Sequence, residues 1–204
     1  MPLGDPKPAA RADVSGKFEG QTYVNKTLGF ILTLPPGWQT QDTDVQQQLI
    51  DVARERMQER AQKSDPAVQR AVRASFSRTT MLLVAVKPSE DKISPNIMAV
   101  AENIAIALSV RTPRQYLEQV RRTNTIGESL SAFEDEIKTE QIGGLEFAFL
   151  GVHPRNPQLA ASSTVQQRFY VMMRKNYAVL FVLTYGTPEQ LESCLDVLKS
   201  LKVQ

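Results

Sequence analysis

The sequence predicts an α+β fold in which an antiparallel β-sheet lies between helices. Three observations carry this reading. Hairpin-turn residues punctuate the second half of the chain, at Gly143-Gly144 and Lys175-Asn176, so most neighbouring strands pair antiparallel. Residues 79–86 and 177–185 are apolar at consecutive positions, which suits strands covered on both faces. Segments 113–124 and 188–200 are amphipathic helices, able to cover opposite faces of such a sheet.

The first element is a strand pair. Residues 21–24 are β-prone, Asn25 to Gly29 supplies turn chemistry, and Phe30 to Leu34 is a compact apolar run. Pro35-Pro36-Gly37 stops that run, and Trp38, the only tryptophan, follows where a large ring can cap a core edge. Before it, residues 1–20 are polar and rich in Pro and Gly, with no apolar h-region. They predict a flexible leader or tether, and residues 21–204 a single domain.

Residues 44–63 carry Val45, Leu49, Val52 and Met57 at helical spacing, with Asp42, Thr43 or Asp44 as cap. Asp65-Pro66 opens a second helix that runs to about Ser75. The mixed charges on this pair read as a solvated face or as a partner-docking surface. In the docking reading the contact residues are Arg54, Arg56, Arg60, Arg70 and Arg73.

Residues 95–109 admit two readings. Ile97, Val100, Ile104 and Leu108 fit a helix, whereas Pro95-Asn96 before an apolar run could start a strand; periodicity favours the helix. Thr112-Pro113 caps the next helix, with Tyr116, Leu117 and Val120 inward. Residues 133–142 alternate as one strand, with Glu134, Glu136 and Glu140 on one face. Residues 145–152 return from the Gly-Gly turn, and 153–163 form a loop. Residues 165–174 and 177–185 are two further strands. Thr187-Pro188-Glu189-Gln190 is a capping box for the last helix, whose apolar stripe is Leu191, Cys194, Leu195 and Leu198.

The totals exclude several function classes. A net charge of +2 over 204 residues points to no nucleic-acid partner, and no apolar run reaches the roughly 20 residues of a membrane-spanning helix. One cysteine permits no internal disulfide. With one histidine and one cysteine, the chain lacks the ligands of a structural zinc site. Glu134, Glu136 and Glu140 could face a hard cation, but Lys138 interrupts them and a solvated edge strand explains them better. A Cys194–His153 pair is disfavoured because Cys194 lies on the apolar stripe of a helix. No Gly-rich phosphate loop and no nucleophile elbow is present. These readings leave no catalytic residue, no metal ligand and no cofactor site.

The order of elements, with Tyr23-x-Asn25-x-x-x-Gly29-Phe30, Leu34-Pro35, Gly37-Trp38, Pro95-Asn96-Ile97 and the closing Leu198-Lys-Ser-Leu-Lys-Val203, resembles the PsbP-like, or Mog-type, α/β/α sandwich family. The resemblance covers about residues 21–203. It implies a strand, not a helix, at about 97–102, and it marks residues 42–76 as a helical excursion beyond the minimal fold. It also implies binding work: members of that family include extrinsic photosystem II subunits, a Ran GTPase regulator, bacterial lipoproteins and secretion chaperones. The matched positions are packing positions, so no catalytic residue carries over. The expectation is a non-enzymatic protein-binding or scaffold module of a bacterium, exported or of lipoprotein type, with an unknown protein partner. If an export signal was trimmed, the protein is extracytoplasmic, with a membrane tether upstream of residue 1; otherwise it is cytoplasmic. The alternatives are a cytoplasmic regulator or chaperone, and then a small-ligand carrier or unusual enzyme.

Overall fold

In the computed structural model, residues 14–42, 77–105, 110–125, 131–154 and 165–204 are described, with isolated helical positions between 48 and 74. The chain opens with β1 (Lys17–Glu19), β2 (Thr22–Asn25) and β3 (Phe30–Thr33), then β4 (Gln39–Thr40), β5 (Thr79–Val86) and β6 (Asn96–Asn103). Helix α1 (Pro113–Thr125) follows. Then come β7 (Ser131–Phe133), β8 (Lys138–Ile142), β9 (Leu145–Pro154), β10 (Gln166–Arg174) and β11 (Tyr177–Tyr185), and the chain closes with α2 (Pro188–Lys199) and β12 (Lys202–Val203).

These strands make two antiparallel sheets, where the sequence suggested one. The larger runs β4-β5-β6-β11-β10-β9-β7, with β8 also on β9; the smaller runs β1-β2-β3-β12. The separation follows from the stop at Pro35 to Gly37, which breaks the run from β3 before β4 joins the other sheet. The central strands β10 and β11 pair along their whole length, from Gln166 opposite Tyr185 to Arg174 opposite Tyr177. At Ile142-Gly143-Gly144-Leu145, both glycines have positive φ (58° and 79°), which is the backbone of a tight two-residue hairpin.

Side chains alternate between the two faces of the large sheet. Phe147, Tyr170, Met172, Val179, Phe181 and Leu183 face the small sheet and α2. Ala148, Leu150, Val171 and Ala178 face α1. The two helices therefore cover opposite faces, as their amphipathic stripes imply. On the first face the rings of Phe18, Tyr23, Phe30, Phe181, Phe147, Tyr170 and Phe149 run in contact from one sheet across the other, with centroids 4.8 to 6.5 Å apart. Trp38 is buried in the same core.

Both helices start with the same device. Thr112 Oγ1 accepts from the Gln115 amide at 3.2 Å, and Gln115 Oε1 accepts from the amides of Arg111 and Thr112. Thr187 Oγ1 accepts from the Gln190 amide at 3.3 Å, and Gln190 Oε1 accepts from the Gly186 amide at 2.7 Å. A Thr-Pro-x-Gln start thus satisfies amides that a helix leaves unpaired at its N-terminus.

Four sequence expectations need correction. Residues 14–20, expected in a flexible leader, belong to the fold, because β1 pairs with β2 and Val14 is buried, its carbonyl accepting from Asn25 Nδ2 at 2.8 Å. Residues 96–103 are a strand, as the resemblance implied and periodicity did not. Ile97, Ala99 and Ala101 alternate into the core of the small-sheet face, so the helical spacing of Ile97, Val100 and Ile104 is coincidental. The strand expected over 133–142 is two strands, β7 and β8, because residues 135–137 have no partner in the pairing with β9. His153 belongs to β9, opposite Ala132, and not to a loop.

Candidate functional site

Three polar constellations stand out in the described residues, each built where a charged or hydroxyl-bearing residue occupies a core-facing position. The first joins three elements. Glu102, 9% exposed, lies on β6; its Oε2 accepts from the Tyr116 hydroxyl of α1 at 2.8 Å, and its Oε1 accepts from Arg78 Nη2 at 3.3 Å. Burial, reinforced by the Glu102 carboxylate, pushes the Tyr116 phenol well above its ordinary range, so Tyr116 is a committed donor.

The second lies at the end of the ring series. The Arg168 guanidinium stands 5.7 Å from the Phe149 ring centroid, and Phe149 stacks on Tyr170 at 4.8 Å. Arg168 acts on the phenols of both Tyr170 and Tyr185, and Glu140 on that of Tyr170. Burial pushes both phenols up; Glu140 adds to this at Tyr170, while Arg168 pulls both down. Glu134 closes the cluster: its Oε2 accepts from the Gly151 amide at 3.0 Å. A Cβ on Gly151 would stand 2.4 Å from Glu134 Oε1, so only glycine admits this carboxylate.

The third surrounds α2. Gln190 Nε2 donates to Asp91 Oδ2 and to the Ile93 carbonyl, both at 2.9 Å, which pins the 88–95 connection to the helix start. Lys87 Nζ donates to Ser193 Oγ at 3.2 Å. Cys194 is fully buried, and burial pushes its thiol up to about 12.

The residues singled out from sequence distribute as follows. Arg54, Arg56, Arg60, Arg70 and Arg73 lie outside the described residues. His153 is exposed on β9, whereas Cys194 is buried beneath α2. Glu134, Glu136 and Glu140 do not share one strand face: Glu134 turns onto Gly151 and Glu140 onto Tyr170, while Glu136 is exposed. Among the described residues no group of three or more His, Cys, Asp or Glu side chains converges as a metal site would require, and no described helix is long and apolar enough to cross a membrane. Sequence reading missed Glu102 and Tyr116 as members of one polar set and Arg168 as the centre of another. A signal was present: Glu102 interrupts an apolar strand, and Arg168 shares the parity of Tyr170 and Met172.

No protein-family model matches the chain, and no curated protein sequence does. Among solved structures, the solution structure of cyanobacterial PsbP (CyanoP) from Synechocystis sp. PCC 6803 is similar over 100% of both chains, with 13% identity and a TM-score of 0.52. The chain has a PsbP-like fold. A crystal structure from Bacteroides thetaiotaomicron is similar at 10% identity and a TM-score of 0.45; it covers 92% of this chain, which spans 49% of that one. LpqN, involved in cell envelope biogenesis of Mycobacterium tuberculosis, is similar over 86% of this chain and 83% of its own, at 9% identity and a TM-score of 0.39. At these identities the likeness concerns the path of the backbone alone.

Proposed function

We propose that this chain is a non-enzymatic binding or scaffold module, exported or of lipoprotein type, that takes a protein partner through residues 42–76. The observation that carries the reading is the fate of the chemistry-bearing side chains. Cys194 is buried with its thiol held protonated, the opposite of what a nucleophile needs. The carboxylates of Glu102 and Glu134 are bonded to Tyr116 and Arg78, and to the Gly151 amide. These groups hold the sheet and its helices together. What remains for function is surface, and the excursion at 42–76 is the part of the chain that the minimal sandwich does not require.

The test compares the intact chain with one lacking residues 42–76, each immobilised and exposed to native lysate and envelope fractions. The expected result is a protein retained by the intact chain and lost on deletion, while thermal unfolding shows that the shortened chain still folds. Charge reversal at Arg54, Arg56, Arg60, Arg70 and Arg73 should give the same loss. Equal retention by both chains would remove the excursion as the docking surface. Cell fractionation of the full-length gene product tests export separately: protein found only in the cytoplasm would sink that part of the reading.

A further inference from the structure

One row of residues crosses all four strands of the small sheet. Lys17 of β1 stands opposite Val24 of β2, Val24 opposite Ile31 of β3, and Ile31 opposite Lys202 of β12. Directly opposed residues share a face. Their chain neighbours Phe18, Tyr23, Phe30, Leu32 and Leu201 pack into the core, so the row points outward. Both lysines are exposed, and Val24 and Ile31 between them are half-buried. The row is a shallow apolar strip with a cation at each end.

The adjoining turn adds charge. Lys26 is exposed there, two positions beyond Val24. The tip of the β10–β11 hairpin reaches the same turn: Arg174 donates to the carbonyls of Leu28 at 2.7 Å and Gly29 at 2.9 Å, and Lys175 donates to that of Thr27. Five basic residues thus gather at one end of the molecule, whereas the strands of the small sheet contribute one carboxylate, Glu19. Glu19 pairs with Lys17 at 3.5 Å in a solvated contact of the kind worth little. The whole chain carries only +2, so its excess of positive charge is concentrated here. The backbone joins the fold at this same end, where the Val14 carbonyl accepts from Asn25 Nδ2 beside Lys26.

We propose that this end of the small sheet rests on an anionic lipid surface. The lysines hold their ammonium groups among the headgroups, while their stems and the Val24–Ile31 strip lie against the apolar boundary. Lipid is favoured over an acidic protein because the apolar pair is flanked, not enclosed, by cations, and because a tether ahead of Val14 holds this end to a membrane. The tether rests on the proposed export or lipoprotein type; the lipid contact itself does not.

Co-sedimentation of the full chain with vesicles tests the contact. The chain should pellet with vesicles of equimolar phosphatidylglycerol and phosphatidylcholine, not with phosphatidylcholine alone, and should be released as salt rises. Lys17→Gln, Lys26→Gln and Lys202→Gln should each lower the partition coefficient about fivefold, and together roughly a hundredfold. Lys92→Gln, Arg111→Gln and Arg114→Gln remove the same net charge from exposed positions elsewhere. Together these three should lower it by less than one lysine of the row does. Ile31→Thr keeps a β-prone residue but breaks the strip, and should weaken binding at unchanged charge. Thermal unfolding confirms that each variant is folded. No binding to the anionic vesicles, equal binding to phosphatidylcholine, retention by the triple lysine variant, or an equal loss in the distant triple variant would each overturn the proposal. Capture of polyglutamate without capture of vesicles would also overturn it and assign this end to an acidic protein. A chain found only in the cytoplasm removes the tether and leaves the vesicle result standing. Absent vesicle binding leaves export and docking at 42–76 untouched, so the readings fail separately.

Discussion

The two faces of the large sheet are sealed by different means. Among the described residues, the face beneath the small sheet and α2 gathers 25 buried side chains, and a continuous series of aromatic rings crosses it. The face beneath α1 gathers nine, several of them alanine or valine, and has the Arg78–Glu102–Tyr116 contact within it. Apolar burial is non-directional and scales with area, so the larger face holds its cover through many interchangeable contacts. Where apolar area is thinner, a few directional bonds decide where the helix lies. One face is therefore tolerant of local change but costly to hollow out; the other adds a buried carboxylate contact to a smaller apolar area.

Truncation in the ring series probes the first face most severely. Phe181 is fully buried and meets both Phe30 and Phe147. Phe181→Ala should cost about 3–5 kcal/mol, read as a shift in the urea midpoint without a change in slope. A loss near 1 kcal/mol would mean that this face is not the better packed of the two.

Tyr116→Phe probes the second face. It keeps the ring in the apolar cluster and removes the donor to Glu102, so it should cost about 1–3 kcal/mol by the same urea measurement. A neutral result would show that water replaces the hydroxyl readily and that the α1 face owes its order to packing after all.

A third test probes the faces by pH. Burial raises the Cys194 thiol of the first face to about 12 in the folded protein. A group whose folded pKa lies above its unfolded value contributes stability that is complete below the unfolded value and lost as pH rises toward the folded one. Stability should therefore fall between about pH 9 and 12, and Cys194→Ala should reduce the slope by one proton, about 1.4 kcal/mol per pH unit. Tyr116 titrates with the same sign, so the Tyr116→Phe variant should reduce the remaining slope at the alkaline end. An unchanged slope in Cys194→Ala would mean that the thiol is reached by solvent.

Much of this architecture was legible in the amino-acid order, and what was not has identifiable causes. The strand over 79–86, the strand over 177–185 and the helix from 188 were read within a residue of their ends, because apolar runs, capping threonines and prolines act locally. Residues 96–103 were misread by periodicity: apolar residues at 97, 100 and 104 satisfy a helix as well as chance allows, and only neighbours β5 and β11, supplying backbone partners on both sides, make the strand. The break between β7 and β8 was invisible because Glu134 is held by Gly151, through its own amide and its carboxylate, a contact across 17 positions. Glu102 and Tyr116 were read as parts of separate elements and Arg78 as part of none, with nothing to join them.

The sequence by itself determined the strands at 79–86 and 177–185, the helices from 113 and 188, where these stop, and that the two helices can cover opposite faces, since turns, caps and apolar stripes depend on residues a few positions apart. The tertiary structure decided the division into two sheets, the pairing of β12 with β3, the ring series from Phe18 to Phe149, and the meeting of Arg78 and Tyr116 at Glu102. Those contacts join residues far apart in the chain, and their partners are chosen by register and packing, which no local window contains.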